Sequence, residues 1–183
     1  MIAAEVFVRV RPQLFGLAYR MLGSRAEAEE IVQDAWMRSA DRADIDNAEA
    51  WLTTATTRLA IDRLRLAYRQ RETYVGQWLA EPVTDDAGDP AVIVERDETI
   101  TLSFLHALER LSPIERAVFL LHDVFGTGYD DVAEIVERSN DATRQIAHRA
   151  RERVREARPR FELSTERKKE LVDAFFAALA TGD

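Results

Sequence analysis

The stretch from Asn140 to Arg158 carries hydrogen-bonding side chains at helical spacing. At 100° per residue, Asn140, Arg144, Gln145, His148, Arg149, Arg151 and Arg155 fall on one side of a helix. Ala142, Ile146, Ala147, Ala150, Val154 and Ala157 fall on the other. An apolar back with an arginine-rich front suits a helix lying in a DNA major groove. Its N-terminal residues can reach base edges, and its later arginines can reach phosphates. A short helix over about Tyr129–Glu137 would precede it as the first half of a helix-turn-helix. Ala133 is the small residue expected where the two backbones cross, and Val132, Val136 and Ile146 are spaced to share a core. Ser139 is placed to cap the second helix. Two positions depart from the usual pattern. Glu137 stands in the turn where Gly is common, and Thr143 replaces an apolar residue.

A second constellation lies in the long helix predicted over Asn47–Arg71. Trp51, Thr54, Arg58, Asp62, Arg65 and Arg69 form one stripe. Leu52, Ala55, Leu59 and Leu66 lie on one flank, and Ala60, Ile61 and Leu64 on another. Hydroxyls, arginines and an aromatic on one stripe can hold a nucleic-acid backbone and stack on an unpaired base. The preceding helix, Ala26–Ala40, presents Glu27, Glu30 and Asp34 on one face, with Ile31, Ala35 and Trp36 on others. An acidic face with a tryptophan suits a basic protein partner at least as well as solvent.

Helical periodicity sets the elements that position these groups. Val6–Met21 reads as an amphipathic helix with Phe7, Val10, Leu14, Leu17 and Met21 in register; Pro12 kinks it or marks its first turn. Leu22-Gly23 is a stop signal, and Ser24 with Glu27 forms a capping-box pattern opening the second helix to about Ala40. Asp46 or Asn47 can cap the third, which runs to about Arg71. Gly76–Asp97 is rich in turn formers and charge and reads as a linker. Thr99–Leu111 is a further helix. Ser112-Pro113 then opens another through Ile114, Val118, Leu121 and Val124, and Phe125-Gly126 ends it. Pro159 stops the helix that begins at Asn140, and Thr165–Ala180 is a last amphipathic segment. The expected fold is all-α: two small helical domains joined by a flexible acidic linker. The boundaries are 1–75, 76–98 for the linker, 99–160, and 161–183 for a C-terminal segment.

Charge and composition narrow the functional classes. The 183 residues carry a net charge of −8, but the charge is segregated. Arg25–Ala50 is net −5 and Trp51–Glu72 net +3, whereas Glu81–Glu98 is net −6 and Ser139–Arg160 net +4. Two basic patches are thus set between acidic stretches. The absence of cysteine removes disulfides, thiolate metal sites and a cysteine nucleophile. His106, His122 and His148 are too dispersed for a short metal-ligand pattern, so no metal or cofactor is expected. No apolar run approaches the about 18–20 residues needed to cross a bilayer, and no secretory signal is evident, so a cytoplasmic protein is expected.

Two separate sets of residues carry a family resemblance. Phe15-Gly16-Leu17-Ala18-Tyr19-Arg20-Met21-Leu22-Gly23-Ser24 is followed by Ala28-Glu29-Glu30-Ile31-Val32-Gln33-Asp34-Ala35-Trp36. Ala50-Trp51-Leu52 through Arg58-Leu59-Ala60-Ile61-Asp62-Arg63-Leu64-Arg65 comes next. Together they resemble region 2 of bacterial extracytoplasmic-function sigma factors, the group IV members of the sigma-70 type. Leu111-Ser112-Pro113-Ile114-Glu115-Arg116-Ala117-Val118-Phe119, the helix-turn-helix and His148-Arg149-Ala150-Arg151 resemble their region 4. The resemblance implies docking on core RNA polymerase through Glu29, Glu30, Gln33, Asp34 and Trp36. It implies single-stranded −10 DNA on Asp46, Asn47, Trp51, Arg58, Arg65 and Arg69. It implies duplex −35 DNA on Asn140, Arg144, Gln145, His148, Arg149, Arg151 and Arg155. No catalysis is implied, since RNA synthesis belongs to the polymerase.

Arg71-Glu72-Thr73-Tyr74-Val75-Gly76-Gln77-Trp78-Leu79-Ala80-Glu81-Pro82 resembles a linker signature of the subgroup with a SnoaL-like C-terminal domain, with Ala80 where Pro is usual. Leu171–Asp183 resembles the opening helix of that domain; about twenty residues are too few for its core, so the extension is expected to be incomplete here. Control by an anti-sigma partner or by this segment is a further expectation. Two rivals stand beside this reading: a stand-alone helix-turn-helix regulator whose N-terminal block dimerises or senses, and a remnant of a cyclase-like enzyme. The first predicts operator binding without polymerase; the second would require pocket-forming sequence after Asp183.

Overall fold

Why the N-terminal residues form three packed helices is visible in their caps and stripes. The computed structural model describes residues 2, 4–40, 45–71 and 102–157. Helix α1 spans Ala4–Leu22, with Pro12 inside it rather than in its first turn. Gly23 stops it in the left-handed region, φ 75°, where its N–H donates to the Tyr19 carbonyl at 2.7 Å. Helix α2 covers Arg25–Ala40 and α3 Ala48–Arg71. Asn47 caps α3: its Oδ1 accepts from the Ala50 N–H at 3.1 Å. Each of the three helices packs on the other two, around the fully buried Leu14, Met21, Ile31 and Leu52. Thr56 and Thr57 are also fully buried on α3. The Thr57 hydroxyl donates to the Thr53 carbonyl at 2.8 Å, which satisfies it inside the helix.

The second block comprises α4 (Leu102–Glu109), α5 (Pro113–Phe119), α6 (Tyr129–Val136) and α7 (Asn140–Ala157). Ser112 opens α5 with a complete capping box: its side chain accepts from the Glu115 N–H, and the Glu115 carboxylate accepts from the Ser112 N–H at 3.0 Å. The periodicity predicts a regular helix as far as Val124, but the ladder widens into a π-turn over Leu120–Val124. The Phe125 N–H reaches back five residues to the Leu120 carbonyl at 2.9 Å. Gly126, at φ 72°, then reverses the chain.

Among the described residues the structure is helical throughout, as the sequence predicts, with both expected blocks present. The predicted linker over 76–98, its Arg71–Pro82 signature and the C-terminal segment 161–183 lie outside the described residues, apart from the end of α3. Less expected is how the blocks meet. Their buried side chains form one cluster running from Leu14 and Met21 through Leu64 to Leu108, Val118 and Leu121. α3 packs on both α5 and α6, and α1 on α4, α5 and the π-turn.

Arg116 is buried in this seam. Its Nε donates to the Leu108 carbonyl at 2.9 Å, and an Nη donates across to the Met21 carbonyl at 2.5 Å, near the end of α1. A cation near the negative end of a helix dipole, paired with two carbonyls, can be buried without leaving its charge unsolvated. The Tyr68 hydroxyl adds a second tie, donating toward the Leu111 carbonyl at 3.2 Å.

Candidate nucleic-acid and polymerase interfaces

The helix-turn-helix is built as its sequence demands. Val132, Val136, Ile146, Ala147 and Ala150 are buried between α6 and α7, and Ala133 is buried with them. The Ser139 hydroxyl accepts from the Ala142 N–H at 3.2 Å, capping α7. Both departures from the usual pattern have physical answers. Thr143 is completely buried, and its hydroxyl donates to the Ser139 carbonyl at 3.0 Å, so the extra oxygen is satisfied. Glu137 takes the left-handed conformation, φ 55° and ψ 52°, that ends α6. The Arg138 N–H bonds the Ala133 carbonyl at 3.0 Å and the Glu137 N–H bonds the Glu134 carbonyl at 3.3 Å, a Schellman ending that normally favours Gly.

On the front of α7, Arg144, Gln145, His148, Arg149 and Arg155 are exposed. Arg149 and Arg155 make no ion pair among the described residues, so their charges are available to an incoming anion. Arg144 is pre-positioned near the start of the helix. Its Nε donates to Asn140 Oδ1 at 2.7 Å, and its guanidinium lies 4.6 Å from the Tyr129 ring centroid. Asn140 is in turn hydrogen-bonded to Asp130. His148 lies 3.5 Å from Glu152.

Arg151 is placed differently from its neighbours. It is half-buried, donating to Asp123 at 2.7 Å and to the Tyr129 hydroxyl at 2.8 Å. The Asp123 hydrogen bond, followed by that of Tyr129, raises its pKa above the ordinary arginine value. Its present partners tie α7 to the π-turn and to α6, so it buttresses the helix-turn-helix rather than facing outward.

On α3 the predicted stripe divides into two parts. Arg65 and Arg69 are exposed, as is Asp46 just before the helix, with Arg65 in an i,i+3 pair with Asp62 at 3.3 Å. Asn47 serves as the helix cap. Trp51, Thr54 and Arg58 face the second block instead, lining a cavity of about 550 Å³ together with Leu121, Phe125 and Glu134. Arg58 Nε donates to the Ile135 carbonyl and an Nη to the Glu134 carbonyl, both at 3.0 Å. Its other Nη pairs with Glu137 at 3.2 Å. Leu66, expected on an apolar flank, is exposed.

On α2, Glu29 and Gln33 are exposed, and with Val32, Arg11, Phe7 and Trp36 they line a shallow groove of about 250 Å³. Trp36 stacks on Phe7 with 4.5 Å between centroids. Glu30 is committed in part to the fold. Arg63 of α3 pairs with it at 3.0 Å and with Glu27 at 3.3 Å. The Glu30 hydrogen bond leads in raising the Arg63 pKa. Asp34 is half-buried. Met37, half exposed at 53%, shares the Gln33 face one turn on. Helical spacing alone does not single it out, although an exposed Met beside an acidic row is the adaptable apolar contact a docking face uses.

The chain is matched by the family descriptions Sigma-70 region 2 over residues 6–70 and Sigma-70, region 4 over residues 101–154. The ECF RNA polymerase sigma factor SigJ of Mycobacterium tuberculosis strain H37Rv is 43% identical over 184 residues, covering 97% of this chain and 58% of SigJ. The chain belongs to the extracytoplasmic-function sigma factors of the sigma-70 family. Its three-helix block is region 2 and its helix-turn-helix block region 4. The crystal structure of the Mycobacterium tuberculosis SigJ superimposes with a TM-score of 0.72 at 38% identity, covering 99% of this chain and 60% of that one. RpoE of Bartonella quintana, solved in complex with the anti-sigma factor NepR, shares the fold with a TM-score of 0.64 at 24% identity, over 84% of this chain and 94% of that one. The chain spans about three fifths of the length of the SigJ it matches. No helix among the described residues is long and apolar enough to cross a membrane.

Proposed function

We propose that this chain directs promoter-specific transcription initiation as a sigma factor, without catalysis of its own, acting in the cytoplasm where polymerase and promoter meet. The observation that carries this reading is the open front of α7. Arg144, Gln145, His148, Arg149 and Arg155 stand exposed on a helix whose apolar back is buried in a helix-turn-helix, in a chain that also carries region 2. Arg144 and Gln145, near the helix start, read base edges of the −35 duplex, and Arg149 and Arg155 hold phosphates. Asn140 and Tyr129 aim the Arg144 guanidinium, which lowers the entropy lost on contact. Arg151 acts one step back, by holding the helix in place.

Region 2 supplies the other two contacts. Glu29, Gln33, Asp34, Trp36 and Met37 dock on a basic surface of core polymerase, with Glu30 contributing while bridged to Arg63. Trp51, Arg58, Arg65 and Arg69 engage the −10 strand once the duplex parts, Trp51 by stacking and the arginines by phosphate contact. Asp46 lies beside this strand, and Asn47 sets the direction in which α3 begins. Residues 1–75 and 99–160 are the working units, 76–98 sets the reach between them, and 161–183 begins a SnoaL-like extension.

Core polymerase capture followed by promoter-dependent transcription in vitro tests the reading. The chain should co-purify with core enzyme and support transcription from a promoter whose −35 and −10 elements are both intact. Tight, sequence-specific operator binding by the chain alone, with no polymerase capture, would replace this function with that of a stand-alone regulator.

A further inference from the structure

We propose that the π-turn over Leu120–Val124 aims the front of α7, with Tyr129 and His122 as positioning residues for the −35 duplex contact of Arg144. A π-turn takes one residue more than a regular helical turn, and such widenings recur at functional sites. Here the chain that follows closes the widened turn. The Thr127 N–H donates to the Leu121 carbonyl at 2.9 Å, and His122 Nδ1 donates to the Thr127 carbonyl at 2.8 Å. The His122 ring is thereby held against Tyr129, with 3.8 Å between centroids and 28° between planes. The next residue, Asp123, accepts from Arg151 Nε at 2.7 Å. Two consecutive residues of the π-turn thus support α7, one through the Tyr129 ring and the other through Arg151.

Tyr129 is where these supports meet. The Arg144 guanidinium lies 4.6 Å from its ring centroid, and its hydroxyl accepts from Arg151 at 2.8 Å, about two turns further along α7. Arg144 gives its Nε to Asn140, which leaves both Nη groups without a hydrogen-bond partner among the described residues. Those two groups form the fork that a base edge in the major groove engages. A free arginine loses rotamer freedom on such a contact, and a ring that already fixes the guanidinium removes part of that loss. Tyr129 and His122 are half-buried and act through Arg144. The role in −35 reading rests on the sigma-factor function proposed above; the hold on Arg144 does not.

Nitrogen relaxation of the Arg144 Nε–H group in the free full chain reads the hold directly. Tyr129→Phe keeps the ring and should leave the order parameter at its wild-type value. Tyr129→Leu and His122→Ala should both lower it, Tyr129→Leu the more. His122→Ala touches neither arginine, so it keeps the test decisive where Tyr129→Leu fails to fold. An order parameter unchanged in His122→Ala, or in a folded Tyr129→Leu, would overturn the proposal. So would a loss in Tyr129→Phe as large as in Tyr129→Leu, which would make the hydroxyl the acting group. Competition between single-base −35 variants, with holoenzyme, gives the functional readout. Tyr129→Leu should reduce discrimination at the position Arg144 reads about two- to five-fold, the scale of an exposed cation–ring contact, and Tyr129→Phe should preserve it. In an Arg144→Ala background, Tyr129→Leu should cost no further discrimination. Equal weakening on every sequence would make Tyr129 a merely structural residue and overturn the proposal. Order parameters that change as stated, with Arg144→Ala leaving base preference intact, would refute the −35 reading and leave the hold on Arg144 standing. Unchanged order parameters, with Arg144→Ala still relaxing base preference, would refute the hold and leave the −35 reading standing.

Discussion

Arginines at helical spacing mark both basic stripes, yet the fold sets them in opposite conditions. On α7 the exposed residues Arg149 and Arg155 make no ion pair among the described residues, and Arg144 is aimed by groups on its own block. On α3 the central arginine, Arg58, is tied to the other block, and Trp51 lines a seam cavity beside it. The difference teaches that spacing along a helix sets which residues share a face, whereas availability depends on what packs against that face. A helix front supported by its own block can be finished within that block. A stripe with an exposed aromatic would be an apolar liability, and packing a second block beside it lowers that cost.

The largest test of the comparison is the seam itself. Arg116→Ala should destabilise the protein by about 3 kcal/mol, because the buried Met21 and Leu108 carbonyls both lose the guanidinium, Leu108 keeping only the Leu111 N–H at 3.1 Å. The melting temperature should fall by about 6–12 °C. A single shifted transition in calorimetry would show the blocks melting as one unit. Two transitions, with only one displaced, would break the picture of a shared core.

Next in size is the N-terminal end of the α7 front. Arg144→Ala should cost about 1–3 kcal/mol in binding to a −35 duplex by holoenzyme, and should relax base preference at one position. Competition between single-base variants of the element measures this; an equal loss on every sequence would make Arg144 a phosphate contact.

The acidic face of α2 should separate by partner. Gln33→Lys should weaken polymerase capture by about 1 kcal/mol or more while thermal stability stays unchanged, since it places a like charge at a basic surface. Glu30→Lys should weaken capture and lower stability together, because Arg63 loses its leading partner and faces a like charge. Capture that falls for Glu30→Lys alone would move the docking site away from Gln33.

The smallest effects distinguish Arg155 from Arg151. Arg155→Ala should reduce the salt dependence of duplex binding by about one phosphate contact for every sequence. Arg151→Ala should leave that slope nearly unchanged and instead reduce stability by about 1–3 kcal/mol, because Asp123 and the Tyr129 hydroxyl lose their donor. A matching drop in slope for both would restore Arg151 to the outward face.

Much of the fold was legible in advance for local reasons. Gly23, Asn47, the Ser112 capping box and Ser139 act within four residues of themselves, so their signals survive any packing. The faces of α7 follow from a 3.6-residue period and a single buried side. The π-turn was not legible, since its ladder slips by one residue without changing the apolar pattern. Arg116 was equally hidden. An arginine beside Glu115 in a short helix carries no mark of the Met21 carbonyl that meets it, 95 residues earlier in the chain.

The sequence by itself determined the all-helical class, the division into two blocks, the helix-turn-helix and the exposed front of α7. Each depends on periodicity, capping or turn chemistry, which are interactions between near neighbours. Only the tertiary structure decided that Glu30 is bridged to Arg63, that Arg151 turns inward to Asp123, and that Arg58 and Trp51 face the second block. All of these depend on contacts between groups distant in the chain. Their partners are chosen by how two apolar faces come to rest on one another, and a one-dimensional pattern does not encode that docking.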